Sequence, residues 1–312
     1  MPIALLSSLI RPLVEPHLPD AVDARFFSSL DELYTMAPEA EIGWFDLNEK
    51  EPMAEAVTLA SNLKWLNSIY AGLDFLPLDL LRQRGVTITN GVGINAIAIA
   101  EYVTMMMLVH AKGYREVVRA QDRREWLPDS PGKIELPGTR ALLLGFGAIG
   151  QQIKPRLEGL GVEVVPVRRS GADGALGPDE WRGRLGEFDW VILAVPATSE
   201  TDGMIGAGEL AAMKDSAVLV NIARGAVVEQ DALVAALEAK SIGGALLDVT
   251  TPEPLPADHK LWGLENAHVT MHLSGRAQAS MFRRSAERFL VNLDAYLKGE
   301  AMHPLFDPAR GY

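Results

Sequence analysis

Three short segments each close an apolar run with one polar side chain of a catalytic type. LVNIARG carries Arg224, LLDVTTPEPLP carries Glu253, and HVTMHLSG carries His272. Reduction of a 2-oxo acid needs such a set. A cation must hold the carboxylate and polarise the ketone, and an acid must protonate the oxygen as hydride reaches the carbon. Arg224 suits the first task, being always charged and able to bind two oxygens. His272 suits the second, because imidazole titrates near neutrality. A carboxylate at Glu253 favours the imidazolium and fixes its orientation. Each has a plainer reading: Arg224 as a buried ion pair with Asp248, Glu253 as a solvated loop acid, His272 as a structural histidine.

Hydride needs a carrier, and GFGAIG (Gly145 to Gly150) offers a place for one. Among 28 glycines the pattern G-x-G-x-x-G arises easily by accident. Context strengthens it, since it follows the strand-like RALLL directly and opens a helix-like segment. Gly145 permits a tight turn, Gly147 lets the backbone approach a pyrophosphate, and Gly150 lets helix and strand pack closely. Amides at the helix start, from Ala148 and Ile149, then face the phosphates. Pro155, inside that helix, predicts a kink.

A dinucleotide site of this kind expects an acid roughly 20 residues beyond the glycines, bonding the ribose 2′-OH. VPVRRS puts Arg168 in that slot, with Arg169 and Ser170 beside it. Guanidinium groups bind a phosphate bidentately and the serine adds a donor. With the acid missing and the bases present, NADP(H) is favoured and NAD(H) remains possible. A solvated basic pair at a strand end is the alternative.

These residues need elements to hold them. RALLLG, VEVVPV, WVILAV, AVLVNI, GGALLDV and AHVTM are short, nearly continuous apolar runs, as in a parallel sheet covered on both faces. The catalytic segments would then lie at the carboxyl edge, where open α/β sheets bind ligands. The first 90 or so residues alternate strand-like pieces (IALLSSLI, EIGWF, KWLNSIY, VTITN) with amphipathic ones such as PMAEAVTLASNL, suggesting a second, smaller parallel layer. NAIAIAEYVTMMMLVHAKGYREVVRAQ reads as one long helix whose first half is buried, under the sheet or against a second subunit. RAQASMFRRSAERFLVNLDAYLKG reads as a final amphipathic helix. The fold class is therefore α/β, with two Rossmann-like domains on parallel sheets, the larger being a doubly wound dinucleotide-binding domain.

Composition narrows the partners. Acidic residues outnumber basic ones 41 to 29, for a net charge of −12, so no nucleic-acid partner is expected. Without cysteine there is no disulfide, thiolate catalysis or Cys-ligated metal, and no metal is called for. MPIALLSSLIRPLVEP has no basic leader and reads as a first strand rather than a signal peptide. No apolar run approaches the roughly 20 residues of a membrane span. A soluble, cytoplasmic protein acting on a small molecule is expected.

NIARG, the DV…PEPLP stretch followed by LW, and a histidine six residues after an asparagine turn resemble the D-isomer-specific 2-hydroxyacid dehydrogenases. GFGAIG and AIAEYV do so too, in the family's order and over almost the whole chain. The resemblance implies that Arg224, Glu253 and His272 form the catalytic triad. It implies that the amides of Ala71 and Gly72, in SIYAGLD, bind the substrate carboxylate. It gives residues 1–92 with 280–312 as the substrate domain and 93–279 as the dinucleotide-binding domain, with a hinged cleft and a homodimer formed through the latter. Pro196 and Thr201 match a cofactor-lining loop, and Asp248 a position bonding the nicotinamide amide, with the backbone around Ile222 and Ala223 beneath the ring. The arginine in place of the ribose-binding acid, and the ending DPARGY, resemble the family's NADPH-using glyoxylate and hydroxypyruvate reductases.

Other features are open. Trp44 is a candidate for limiting substrate size, a core tryptophan being the alternative. Met271 stands where the family often has proline. Arg276 stands where a small or neutral residue is usual, either binding a second anionic group or lying on the surface. The leading expectation is NADPH-dependent reduction of small 2-oxo acids to D-2-hydroxy acids. The alternatives are a nucleotide-sensing, corepressor-like interaction protein and a dehydrogenase of another small anion, formate or phosphite.

Overall fold

The computed structural model describes residues 1–47, 50–73, 75–171, 174–276 and 278–307. The chain divides into two α/β units, one of Met1–Asn95 with Ala277–Tyr312 and the other of Ala96–Arg276. Among the described residues no helix is long and apolar enough to cross a membrane.

The first unit holds five parallel strands: β1 (Ile3–Ser7), β2 (Asp23–Phe27), β3 (Ile42–Trp44), β4 (Trp65–Asn67) and β5 (Thr87–Thr89). Their order is β2-β1-β3-β4-β5. β2 is absent from the sequence-based strand set. Its DARFF carries two charges in five residues and lies half exposed at the sheet edge, so it lacks the apolar run of a central strand. The helix Gln278–Lys298 belongs to this unit, and its Phe289 packs 5.0 Å from the Trp44 ring and 5.2 Å from that of Trp65.

In the second unit six parallel strands follow: β6 (Arg140–Leu144), β7 (Glu163–Val167), β8 (Trp190–Leu193), β9 (Val218–Asn221), β10 (Gly244–Leu247) and β11 (Ala267–Val269). Their order is β11-β10-β9-β8-β6-β7. Alternate residues feed two separate cores. Leu142, Leu144, Val191, Leu193 and Leu219 face one, together with Leu233 and Leu237 of the helix Gln230–Glu238. Ala141, Leu143, Ile192, Val218 and Val220 face the other, with Met107 of the helix Ala96–Ala111 and Ile153 of the helix Ala148–Glu158. Burial on both faces is why these strands are continuously apolar.

One sequence expectation changes. The long helix after Asn95 is two helices, Ala96–Ala111 and Tyr114–Arg123. The break falls at the segment's only glycine, Gly113, whose φ of 59° lies in the left-handed region. The helix Ala148–Glu158 runs on through Pro155, the eighth of its eleven residues.

Candidate functional site

β6 is where the sheet order reverses: the chain passes to β7 on one side and then to β8 on the other. A crevice opens at the carboxyl end of such a strand, and Gly145 to Gly150 occupy that place. Gly145 takes φ 104°, and a Cβ there would stand 2.5 Å from the Ala194 carbonyl oxygen. A Cβ at Gly150 would stand 2.4 Å from the Gly145 oxygen. At Gly147 the same construction meets nothing within 4 Å, so the middle glycine faces open space. The helix Ala148–Glu158 starts there, and its first amides lack intrahelical acceptors. The loop thus fits a pyrophosphate.

Leu144 pairs with Val167, and the Gly145 amide donates to the Val167 oxygen at 3.1 Å. This register sets Arg168 beside the first glycine. Arg169 is exposed and donates to Glu200 at 2.6 Å. Ser170 is exposed at the same strand end. Across the switch point, Thr201 braces the 196–201 loop: its hydroxyl donates to the Pro196 oxygen at 2.7 Å and accepts the Thr198 amide at 2.9 Å. Pro196 is exposed and Thr201 buried, so the proline rather than the threonine is the accessible member of the pair. Ile222 and Ala223 are buried at the end of β9.

The three catalytic candidates all lie in this unit beyond β9, β10 and β11. His272 Nδ1 lies 2.9 Å from Glu253 Oε2. The other Glu253 oxygen accepts the Thr250 amide at 3.2 Å, and Gln230 holds Thr251 by both backbone groups. Glu253 is therefore an anchored partner of the imidazole rather than a loose surface acid. Arg224 is half-buried and donates to the Ala223 oxygen at 2.8 Å. Asn221 fixes its backbone, accepting the Ala223 amide and donating to the Arg224 carbonyl, each at 3.0 Å. A Cβ at Gly225 would stand 2.1 Å from the Thr250 oxygen, so only glycine lets the Arg224 segment meet the Glu253 loop. Sequence reading had no role for Asn221, Gly225 or Gln230; polar and glycine residues flanking the candidates were the available signal.

Asp248 does not pair with Arg224. It is 2% exposed, and its carboxylate accepts the Thr270 hydroxyl at 2.7 Å and the Leu273 and Ser274 amides at 3.0 and 3.3 Å. Its carbonyl accepts the His272 amide at 2.6 Å. Asp248, matched by resemblance to a position that bonds the nicotinamide amide, thus also holds the turn that carries the histidine. In that turn Met271 and His272 both have φ 56°. Two successive non-glycine residues in the left-handed region store strain, as at many functional sites. The departure from proline at 271 fits, because the proline ring excludes positive φ. Arg276 is exposed, its amide donating to the Leu273 oxygen at 3.0 Å.

In the first unit, Ala71 and Gly72 lie in the turn after β4. Among the described residues neither amide has a protein acceptor. Trp44 has no exposed surface: it lies in the core against Phe289, and its indole N–H donates to Asp46 at 2.6 Å. It is withdrawn from the substrate-contacting set, because a ring filling the core of its own unit cannot also size a pocket. The ending DPARGY reaches beyond the described residues from 308 onward.

Residues 104–274 match the family described as D-isomer specific 2-hydroxyacid dehydrogenase, NAD binding domain. A glyoxylate reductase of Pyrococcus furiosus is 35% identical over 254 residues, covering 77% of this chain and 75% of that protein. The structure of a D-isomer specific 2-hydroxyacid dehydrogenase family protein from Aeromonas salmonicida superposes with a TM-score of 0.87 at 29% identity, covering 98% of each chain. One from Xanthobacter autotrophicus Py2, in complex with NADPH and MES, does so with a TM-score of 0.77 at 25% identity, covering 100% of this chain and 99% of that one. With a matched model across more than half its length, a glycine fingerprint at the sheet's switch point and a histidine–glutamate pair at its carboxyl edge, the chain belongs to the D-isomer specific 2-hydroxyacid dehydrogenases, a family of NAD(P)-binding oxidoreductases.

Proposed function

We propose that the protein reduces small 2-oxo acids such as glyoxylate or hydroxypyruvate, yielding the D-2-hydroxy acid where the product is chiral, with NADPH preferred over NADH. The reduced nicotinamide supplies the hydride. His272 is the general acid, giving its Nε2 proton to the ketone oxygen, while Glu253 at Nδ1 fixes the ring and balances the imidazolium. Arg224 binds the carboxylate and polarises the carbonyl. Ala71 and Gly72 give two further amide donors to the carboxylate. Residues 1–92 with 280–312 form the substrate domain and 93–279 the dinucleotide-binding domain.

The observation that carries this reading is the 2.9 Å pair between His272 and Glu253. A reductase active near neutral pH needs an acid of that kind, and a surface histidine has no use for an anchored carboxylate. For the cofactor, Gly145 to Gly150 would take the pyrophosphate, and Pro196 with the backbone at Ile222 and Ala223 would line the rest of its site. Arg168, beside Gly145 in register, is the main partner of a 2′-phosphate, with Arg169 and Ser170 in support. A glyoxylate reductase among the relatives and an NADPH-bound structural relative support both choices.

A homodimer through the dinucleotide-binding domain completes the proposal. Trp126 is 95% exposed and Tyr114 54%, two aromatic rings of this domain that a second copy would cover. The direct test is the initial rate of NADPH and NADH oxidation with glyoxylate, hydroxypyruvate and pyruvate. Faster turnover with NADPH is expected, and inactivity with every pair would remove the proposal.

A further inference from the structure

We infer that Asp46 is a positioning residue for substrate binding: its buried carboxylate sets the Ser68–Gly72 loop so that the amides of Ala71 and Gly72 stay open to an anion. This inference rests on the function proposed above. Asp46 is 5% exposed. One oxygen accepts both the Trp44 indole N–H and the Ile69 amide, each at 2.6 Å, and the other accepts the Ser68 hydroxyl at 2.7 Å. Ser68 Oγ in turn accepts the Tyr70 amide at 3.1 Å. The Tyr70 hydroxyl donates to the Leu47 oxygen, next to Asp46, at 2.9 Å.

The loop's carbonyls are held from β5's side. Asn90 Nδ2 donates to the Ala71 oxygen at 2.7 Å and the Gly91 amide to the Tyr70 oxygen at 2.8 Å. A Cβ at Gly91 would stand 1.8 Å from the Ile69 oxygen, so the two segments touch backbone to backbone. Two successive amides, Ile69 and Tyr70, are thus bound directly or through Ser68 to one carboxylate, and the next two are left open. An acceptor-only side chain is what three converging donors require. A buried carboxylate is a poor choice for stability alone, and burial pushes this one up to about 6. Its retention fits a role in geometry.

The test measures KM and kcat for glyoxylate, and the NADPH dissociation constant, in wild type, Asp46→Asn, Asp46→Ala and Ser68→Ala. Loss of a buried donor's partner corresponds to roughly tenfold or more, so Asp46→Ala should raise KM about that much, with kcat within about threefold and NADPH affinity unchanged. Asp46→Asn, which keeps one acceptor, and Ser68→Ala, which cuts only the relay to Tyr70, should give smaller rises of the same kind. If Asp46→Ala does not fold, the other two decide. Unchanged KM in both, or a loss confined to kcat or shared with NADPH binding, overturns the inference while leaving the parent function standing. A wild-type protein inactive on every 2-oxo acid removes both.

Discussion

Asp248 accepts the His272 amide on its carbonyl oxygen at 2.6 Å, while its carboxylate gathers Thr270, Leu273 and Ser274 around the same turn. The imidazole's position therefore depends on a buried acid one strand away. Replacing Asp248 with Ala leaves one buried donor, the Ser274 amide, and two part-buried ones without a partner, the buried one worth about 1–3 kcal/mol. Misplacing a reacting group by about 1 Å can lower turnover roughly a hundredfold. Asp248→Ala is expected to lower both Tm and kcat, and Asp248→Asn, which keeps one acceptor oxygen, to lower each less. Thermal unfolding beside steady-state kinetics checks the order; equal effects of the two variants would speak against it.

Glu253 acts only through His272. Glu253→Gln keeps its shape and its contact with the Thr250 amide but removes the charge. The rate with 2-oxo acids should fall about ten- to a hundredfold, and His272→Asn should cost more, about a hundredfold to ten-thousandfold. If the two losses multiply in the double variant instead of overlapping, the side chains are not working as a unit.

Cofactor choice should rest mainly on Arg168, which lies in register with the first glycine. Arg169 is already engaged by Glu200, both well exposed, and an exposed pair contributes about 0–1 kcal/mol. Arg168→Ala should weaken NADPH by about ten- to a hundredfold, from one lost charge-assisted contact, and leave NADH nearly unchanged. Arg169→Ala should do less. Glu200→Gln removes a competitor for Arg169 and should tighten NADPH slightly. Titrating cofactor fluorescence gives all three constants, and equal NADPH and NADH losses at Arg168 would place it outside the phosphate site.

The stability of the second unit should depend on pH through His268. Its ring packs 5.7 Å from that of His110, and burial, then His110, Arg115 and Arg119, pushes its pKa from the ordinary 6.5 down to about 4. Burial alone pushes His110 down too. Between those values the unfolded chain takes up a proton that the folded one refuses. Stability is therefore full above about pH 6.5 and is lost as pH falls toward 4. The loss is about 2 kcal/mol once solvent screening of a partly exposed ring is allowed for. Tm should fall over that range in wild type and less steeply in His268→Leu.

Strands β6 to β11 are legible in sequence because burial on both faces forces each to be apolar throughout. β2 is not, since Asp23 and Arg25 answer to solvent at the sheet edge. The candidate trio is legible because the proposed chemistry restricts residue type, and because each member follows a strand. What surrounds the trio is not. Asn221, Gln230 and Asp248 are held by contacts across 3 to 29 residues, and no local periodicity records which turn a carboxylate will close. Trp44 is a further instance: a tryptophan near a candidate loop looks alike in sequence whether it faces a ligand or Phe289.

β2 and β7, one edge strand of each sheet, bear on behaviour at high concentration. An open strand edge offers unpaired amides and carbonyls to any other strand, including that of a second copy. On β2, Arg25 sits between Asp23 and Glu39 at 2.8 and 2.6 Å, so an incoming strand would meet charge. On β7, Pro166 has no amide to offer, and Leu176 already takes its carbonyl at 2.8 Å. Each sheet thus has one edge, β2 or β7, that discourages the addition of a further strand.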